Sequence, residues 1–138
     1  MVVGGPDDCQ HVADLGSAAL GRASHDALSH QSFCRRAPCY HPGLDLACVA
    51  PDRSFAAYVG VAWDEVNRRA MLEPVCTHPD HRGRGLSEAL ICMAIGRLVG
   101  LGARDLTVGT GDMVPANQLY DRTGFTETAR SQAWRRSW

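Results

Sequence analysis

The run Arg82-Gly83-Arg84-Gly85 constrains this chain more than any other stretch. Before it, residues 69–77 read as a β-strand. After it, residues 86–99 are apolar apart from Glu88 and Arg97, the pattern of a helix buried nearly all round. A strand, a glycine turn and a helix must therefore follow one another here. Gly83 and Gly85 carry no side chain, so a ligand can approach the backbone closely. The first amides of a helix lack intrahelical partners, and the helix dipole places partial positive charge on them. Such a site suits an anion, and a diphosphate in particular. Arg82 and Arg84 add positive charge. The alternative of a plain surface turn stays open on this segment alone. A nucleotide P-loop is excluded, because it needs a lysine and all 14 basic residues are arginine. A dinucleotide Gly-x-Gly-x-x-Gly is excluded because its third glycine would fall on Glu88.

The rest of the chain supplies a sheet for this unit. Residues 44–50, 55–63 and 69–77 read as strands separated by polar turns at 51–54 and 64–68, an antiparallel meander. Upstream, Val2 and Val3 suggest the stub of a strand. Pro6-Asp7-Asp8 opens a helix with an apolar stripe at Val12, Leu15 and Ala19. A second short helix is expected over residues 24–35. Downstream, Gly100 and Gly102 end the long helix, and residues 106–108 form a short buried strand. Pro115 opens a helix in which Ala116, Leu119, Tyr120 and Thr123 share one face, and Gly124 stops it. Residues 125–138 are expected as a final strand. The result is an α+β fold with a mixed sheet and helices on both faces.

With 138 residues the chain is read as one domain, 1–138. A net charge of −1 gives no field favouring nucleic acid or an anionic membrane. No apolar run reaches the roughly 18 residues of a membrane span, and no basic and apolar leader opens the chain. The six cysteines contain no Cys-x-x-Cys pair and read as reduced thiols of a cytoplasmic protein. Cys34, Cys39 and His41 form a local cluster, but no fourth ligand follows at a useful spacing, so no metal is expected.

Two segments together resemble a known family. Arg82, Gly85 and Ser87 occupy the defining positions of the acyl-CoA motif of the GNAT superfamily of N-acetyltransferases, Gln/Arg-x-x-Gly-x-Gly/Ala. Ser87 departs from Gly/Ala but is small. Leu119-Tyr120 followed by Gly124-Phe125 looks like the family's Leu-Tyr-x-x-x-Gly-Phe signature at the matching distance. The resemblance covers about residues 44–126. It implies a central mixed sheet whose fourth and fifth family strands, here residues 69–77 and 106–108, splay apart, with acetyl-CoA as cosubstrate. Pro74 suits such a bulge, since proline cannot donate to a ladder.

By the same resemblance, the backbone of Val75, Cys76 and Thr77 meets the acetyl and pantetheine groups. Arg82 and the backbone of Gly83, Arg84, Gly85, Leu86, Ser87 and Glu88 hold the pyrophosphate. Tyr120 matches a tyrosine placed near the sulfur. A phenol of pKa near 10 can protonate a departing thiolate of pKa about 8.5. Glu73 is the first choice of base for the acceptor amine, with His78 and Asp112 behind it and ordered water as the alternative. A glutamate that some members carry twelve residues before the tyrosine is Val108 here. The usual CoA-contacting asparagine is Met113, and Asn117 either takes over its contact or serves the helix start. A covalent route through Cys76 is not expected, because the family attacks the thioester directly.

The implied activity is acetyl transfer to a primary amine of a small molecule, amino acid or peptide N-terminus. A non-catalytic acyl-CoA-binding or sensing module is the rival. The acceptor pocket falls to the least family-like parts, where His25, His30 and His41 are candidates to line it but read as ordinary surface histidines. Trp134 and Trp138 are candidates for a homodimer contact.

Overall fold

The computed structural model describes residues 6–21 and 26–137, with side chains from residue 8 onward. The elements run α1 (Pro6–Leu20), α2 (Ala27–Arg36), β1 (Tyr40–Val49), β2 (Phe55–Asp64), β3 (Arg69–Thr77), α3 (Leu86–Gly100), β4 (Asp105–Thr107) and α4 (Val114–Arg122). A single 3-10 turn, Pro79–His81, lies between β3 and α3. The sheet order is β1-β2-β3-β4. β1 and β3 flank β2 antiparallel, and β4 joins β3 in parallel. This is the expected mixed sheet.

Local chemistry explains the turns. Asp52 accepts hydrogen bonds from the Ser54 amide (3.0 Å) and hydroxyl (2.6 Å), while Asp64 accepts from the Asn67 amide at 3.0 Å. Such side-chain acceptors close turns where the backbone leaves its ladder. Asp26 caps α2 by accepting from the Ser29 amide at 2.6 Å, so the helix begins after residue 24. β1 begins four residues earlier than its apolar run, because Trp63 donates its amide to Cys39 and Tyr40 pairs with Ala62.

Alternation along the strands sends side chains to two faces. On one face Leu44, Leu46, Val59, Leu72, Leu90, Ile91, Ala94 and Leu98 form the main core beneath α3. On the other, Val12 and Leu15 of α1 pack on Ala47, Phe55, Tyr58 and Cys76. The predicted α1 stripe is thus buried. Burying one such aliphatic side chain contributes about 1.5–3 kcal/mol.

Three expectations are corrected. First, α3 is not buried all round. Its buried residues Ser87, Leu90, Ile91, Ala94 and Leu98 form one stripe, and Met93 (44 % exposed) and Val99 (70 %) face outward. A sheet lies on only one side of the helix, so helical geometry buries one face whatever the composition of the other. Second, residues 125–137 form no strand among the described residues. β4 has three residues, which leaves little ladder for another strand to join, and Trp134 is 92 % exposed. Third, His30 is not a surface histidine, since its side chain is 10 % exposed beside Asp45. Val2, Val3, His25 and Trp138 lie outside the described residues.

Candidate functional site

β3 and β4 pair only through Arg69–Asp105, Ala70–Leu106 and Met71–Thr107. Beyond Met71, β3 runs on to Thr77, while the chain after Thr107 leaves regular structure until α4. Six residues of β3 therefore present a ladder edge with no β4 partner, roughly 20 Å long at about 3.3 Å per residue. This is the expected splay. It opens toward the carboxyl ends of two parallel strands, where crevices form in sheets of this kind.

The bulge lies inside this edge. Val59 pairs with Val75 and Val61 with Leu72, so Gly60 alone faces Glu73 and Pro74. A Cβ at Gly60 would lie 3.0 Å from the Glu73 carbonyl oxygen and 3.2 Å from Pro74. Glycine at 60 lets the bulge press against β2. Glu73 and Pro74 are exposed on β3, Val75 is half-buried and Cys76 is buried. Burial pushes the Cys76 thiol up to about 11. It stays protonated near neutrality and is a poor nucleophile, in keeping with its expected core role.

The loop that follows carries the backbone geometry expected of it. Gly83 (φ +74°) and Gly85 (φ +71°) are both left-handed, and a Cβ on either would meet nothing within 4 Å. Open space therefore borders the backbone at both glycines. Gly85 is the N-cap of α3 and no side chain caps the helix start. The amides of Leu86, Ser87 and Glu88 are the ones that helical geometry leaves without intrahelical partners. The arrangement can hold an anion through backbone amides alone.

The side chains around the loop do work the sequence did not reveal. The Ser87 hydroxyl lies 2.5 Å from that of Thr77, which pins the start of α3 to the end of β3. Ser87 is 8 % exposed. The Arg82 guanidinium turns back and donates to the Ala19 carbonyl at 3.1 Å and the Thr77 carbonyl at 3.4 Å. It ties the end of α1 to the same corner, and Arg84 is left exposed in the loop. Glu88 faces Arg122 of α4 at 3.4 Å.

Tyr120 and Val75, from opposite sides of the splay, both pack against the α3-side core. The Tyr120 ring meets Phe125 edge-on at 5.7 Å. Burial raises its phenol above the ordinary value, so it holds its proton near neutrality. Asn117 donates from its side chain to the Gly111 carbonyl at 3.4 Å, a contact on the loop entering α4. Met113 and Asp112 are exposed, and Val108 packs on the core. His78 accepts from the Asp80 amide at 3.2 Å, closing the turn after β3.

One polar group was missed altogether. Asp45 stands amid the apolar run of β1 and is 3 % exposed. Its carboxylate accepts hydrogen bonds from the hydroxyls of Tyr58 and Tyr40, the latter at 3.2 Å. A charged residue inside such a run was the available signal. The cluster Cys34, Cys39 and His41 is not assembled: Cys34 instead meets His30 at 3.6 Å, and His41 accepts from the Gly43 amide. The six cysteines are all free thiols.

Comparison with known proteins places this architecture. Among solved structures, a putative acetyltransferase from Agrobacterium tumefaciens str. C58 superposes with a TM-score of 0.75 at 20% identity, over 97% of each chain. The aminoglycoside 6'-N-acetyltransferase AAC(6')-IG from Acinetobacter haemolyticus does so with a TM-score of 0.72 at 18% identity, over 97% of this chain and 95% of that one. The ribosomal-protein-S18-alanine N-acetyltransferase from Escherichia coli gives 0.70 at 19% identity, over 89% and 74%. At these identities the likeness establishes the fold. A search of curated protein sequences gives no significant match. The sequence model of the Acetyltransferase (GNAT) family matches residues 15–125, a span that holds the sheet, the glycine loop and the tyrosine helix together. On that match the chain belongs to the GNAT family of acetyltransferases.

Proposed function

We propose that this chain, as a single cytoplasmic domain over residues 1–138, transfers the acetyl group of acetyl-CoA to a primary amine. The observation that carries the reading is the continuous path from the unpaired edge of β3 to the left-handed glycines at the start of α3. An extended amide-bearing arm would pair with the free edge at Val75, Cys76 and Thr77. A diphosphate would sit on the amides of residues 83–88, bordered by Arg82 and Arg84. Asn117 and Glu88 would flank it from α4 and α3.

The acceptor nitrogen attacks the thioester carbonyl carbon. Strand amides polarise that carbonyl as negative charge develops on its oxygen. The carbon–sulfur bond breaks, and Tyr120 gives its proton to the departing thiolate. The ammonium proton passes to Glu73, which is exposed at the bulge of β3. Two of the structural neighbours are N-acetyltransferases acting on an aminoglycoside and on a ribosomal-protein alanine. An aminoglycoside-like amine, an amino acid and a peptide N-terminus therefore head the acceptor panel.

Acetyl-CoA at millimolar concentration should raise the melting temperature. No shift with either acetyl-CoA or CoA overturns the reading. With an acceptor in hand, Tyr120→Phe should lower kcat by about 10²-fold or more, the range of general acid catalysis. Unchanged turnover removes its acid role. Binding without transfer to any amine of the panel would make the chain a CoA-binding module.

A further inference from the structure

The α1–α2 face of the sheet holds a second group of chemically capable side chains that the proposed acetyl transfer does not use. His30 and Cys34 are one helical turn apart on α2, so their side chains share a face. Across from them Asp45 rises from β1. The His30 Nε2 lies 3.6 Å from Cys34 Sγ and 3.7 Å from Asp45 Oδ2. The three ligand atoms all fall within 4.8 Å of one another. The His30 and Asp45 side chains are 10 % and 4 % exposed.

We propose that His30, Cys34 and Asp45 form a zinc-binding site. Zinc takes nitrogen, sulfur and oxygen at about 2.0–2.3 Å in tetrahedral geometry, which sets its ligand atoms roughly 3.3–3.8 Å apart. The two separations from His30 fall within that range, and the third, between Cys34 and Asp45, is within 4.8 Å. The donor set is borderline-soft, which selects zinc over magnesium or calcium. The carboxylate is oriented from behind by the hydroxyls of Tyr58 and Tyr40, the outer-shell support that ligating carboxylates need. Charge gives a separate reason. A carboxylate as buried as that of Asp45 is costly unless a cation compensates it. The hydroxyls of Tyr58 and Tyr40 that reach it are uncharged donors, so the compensating cation must come from His30 or from a metal ion held beside it. Zinc, a Cys34 thiolate, the Asp45 carboxylate and a neutral His30 imidazole sum to zero charge.

Binding exchanges the Cys34 sulfur–hydrogen bond for a sulfur–zinc bond and releases that proton to solvent. Three protein ligands leave a fourth position for water. The site would lock α2 onto β1. It rests on none of the residues proposed to hold acetyl-CoA, so either reading can fail alone.

The test uses the full chain, reduced and stripped with a chelator. Titration with zinc against a colorimetric chelator should show one equivalent per chain. Cobalt(II) should give intense tetrahedral d–d bands with a thiolate charge-transfer band. Cys34→Ser should remove the charge-transfer band and weaken zinc at least tenfold. Cys92→Ser, at an exposed thiol on α3, should change neither. Absence of micromolar uptake, a weak octahedral cobalt spectrum, or undiminished binding by Cys34→Ser overturns the site. Should Cys34→Ser fail to fold, wild-type protein decides: zinc must slow alkylation of Cys34 relative to Cys48, and an unchanged rate overturns the proposal.

Discussion

The two faces of the sheet are built on opposite plans. Under α3, Leu44, Leu46, Val59, Leu72, Leu90 and Ile91 make an aliphatic layer, and the proposed acetyl-CoA site lies at its end, in the backbone of residues 75–77 and 83–88. Under α1 and α2 the layer itself is polar at one point, where Asp45 gathers Tyr58, Tyr40 and His30. One face keeps its core inert and offers amides at the rim. The other buries a charge and must satisfy it with side chains. A backbone site tolerates change around it, while a buried carboxylate depends on each of its partners.

That contrast can be broken from either side. The largest effect should come from Leu90→Ala, which opens a cavity in the aliphatic layer at a residue 2 % exposed. Denaturant unfolding should show a loss of about 2–5 kcal/mol, the usual cost of such a truncation. Tyr58→Phe attacks the other face by removing one donor to the Asp45 carboxylate. The same measurement should show a loss of about 1.5–3 kcal/mol, as for hydrogen bonds to charged groups. A smaller loss would mean that Tyr40 and His30 already suffice.

Gly85→Ala tests whether the α3 rim is a backbone site. A left-handed alanine costs about 1–2 kcal/mol, and the new methyl enters the open space beside the loop. Acetyl-CoA affinity should fall about tenfold, read by calorimetry, with the fold intact. Unchanged affinity would separate the loop from binding.

Alkaline pH acts on the polar face. Cys76 moves from 9.0 to about 11 through burial, so between those values the native state holds a proton that the unfolded chain has lost. Stability is therefore full below pH 9.0 and falls as pH rises toward 11. Two units correspond to at most about 2.7 kcal/mol. Cys76→Ala should flatten part of that slope in urea midpoints measured across the range. The tyrosines around Asp45, whose phenols are also raised by burial, should keep the remainder.

Most of the fold could be read from residues in order. β3 runs from Arg69 to Thr77 as the alternation and turn residues indicate, and α3 starts at Leu86 where the glycines release it. Val12 and Leu15 are buried as their spacing implies. The reading failed where burial had to be judged without knowing the neighbours. The outer face of α3 is as apolar as its inner face, yet Met93 and Val99 are exposed. Residues 125–137 carry no strand among the described residues, because a strand needs a partner as well as a pattern. Arg82 and Ser87 match the family motif in order, and only the fold showed that their side chains brace Ala19 and Thr77.

The division follows from the range of the forces involved. Torsional freedom at Gly83 and Gly85, the dipole at the start of α3 and the alternation of the meander arise between adjacent residues, so the sequence alone determined them. The point where β3 parts from β4, the seat of Gly60 under the bulge and the gathering of residues 30, 34, 40, 45 and 58 join parts far apart in the chain. Packing sets those distances, and only the tertiary structure decided them.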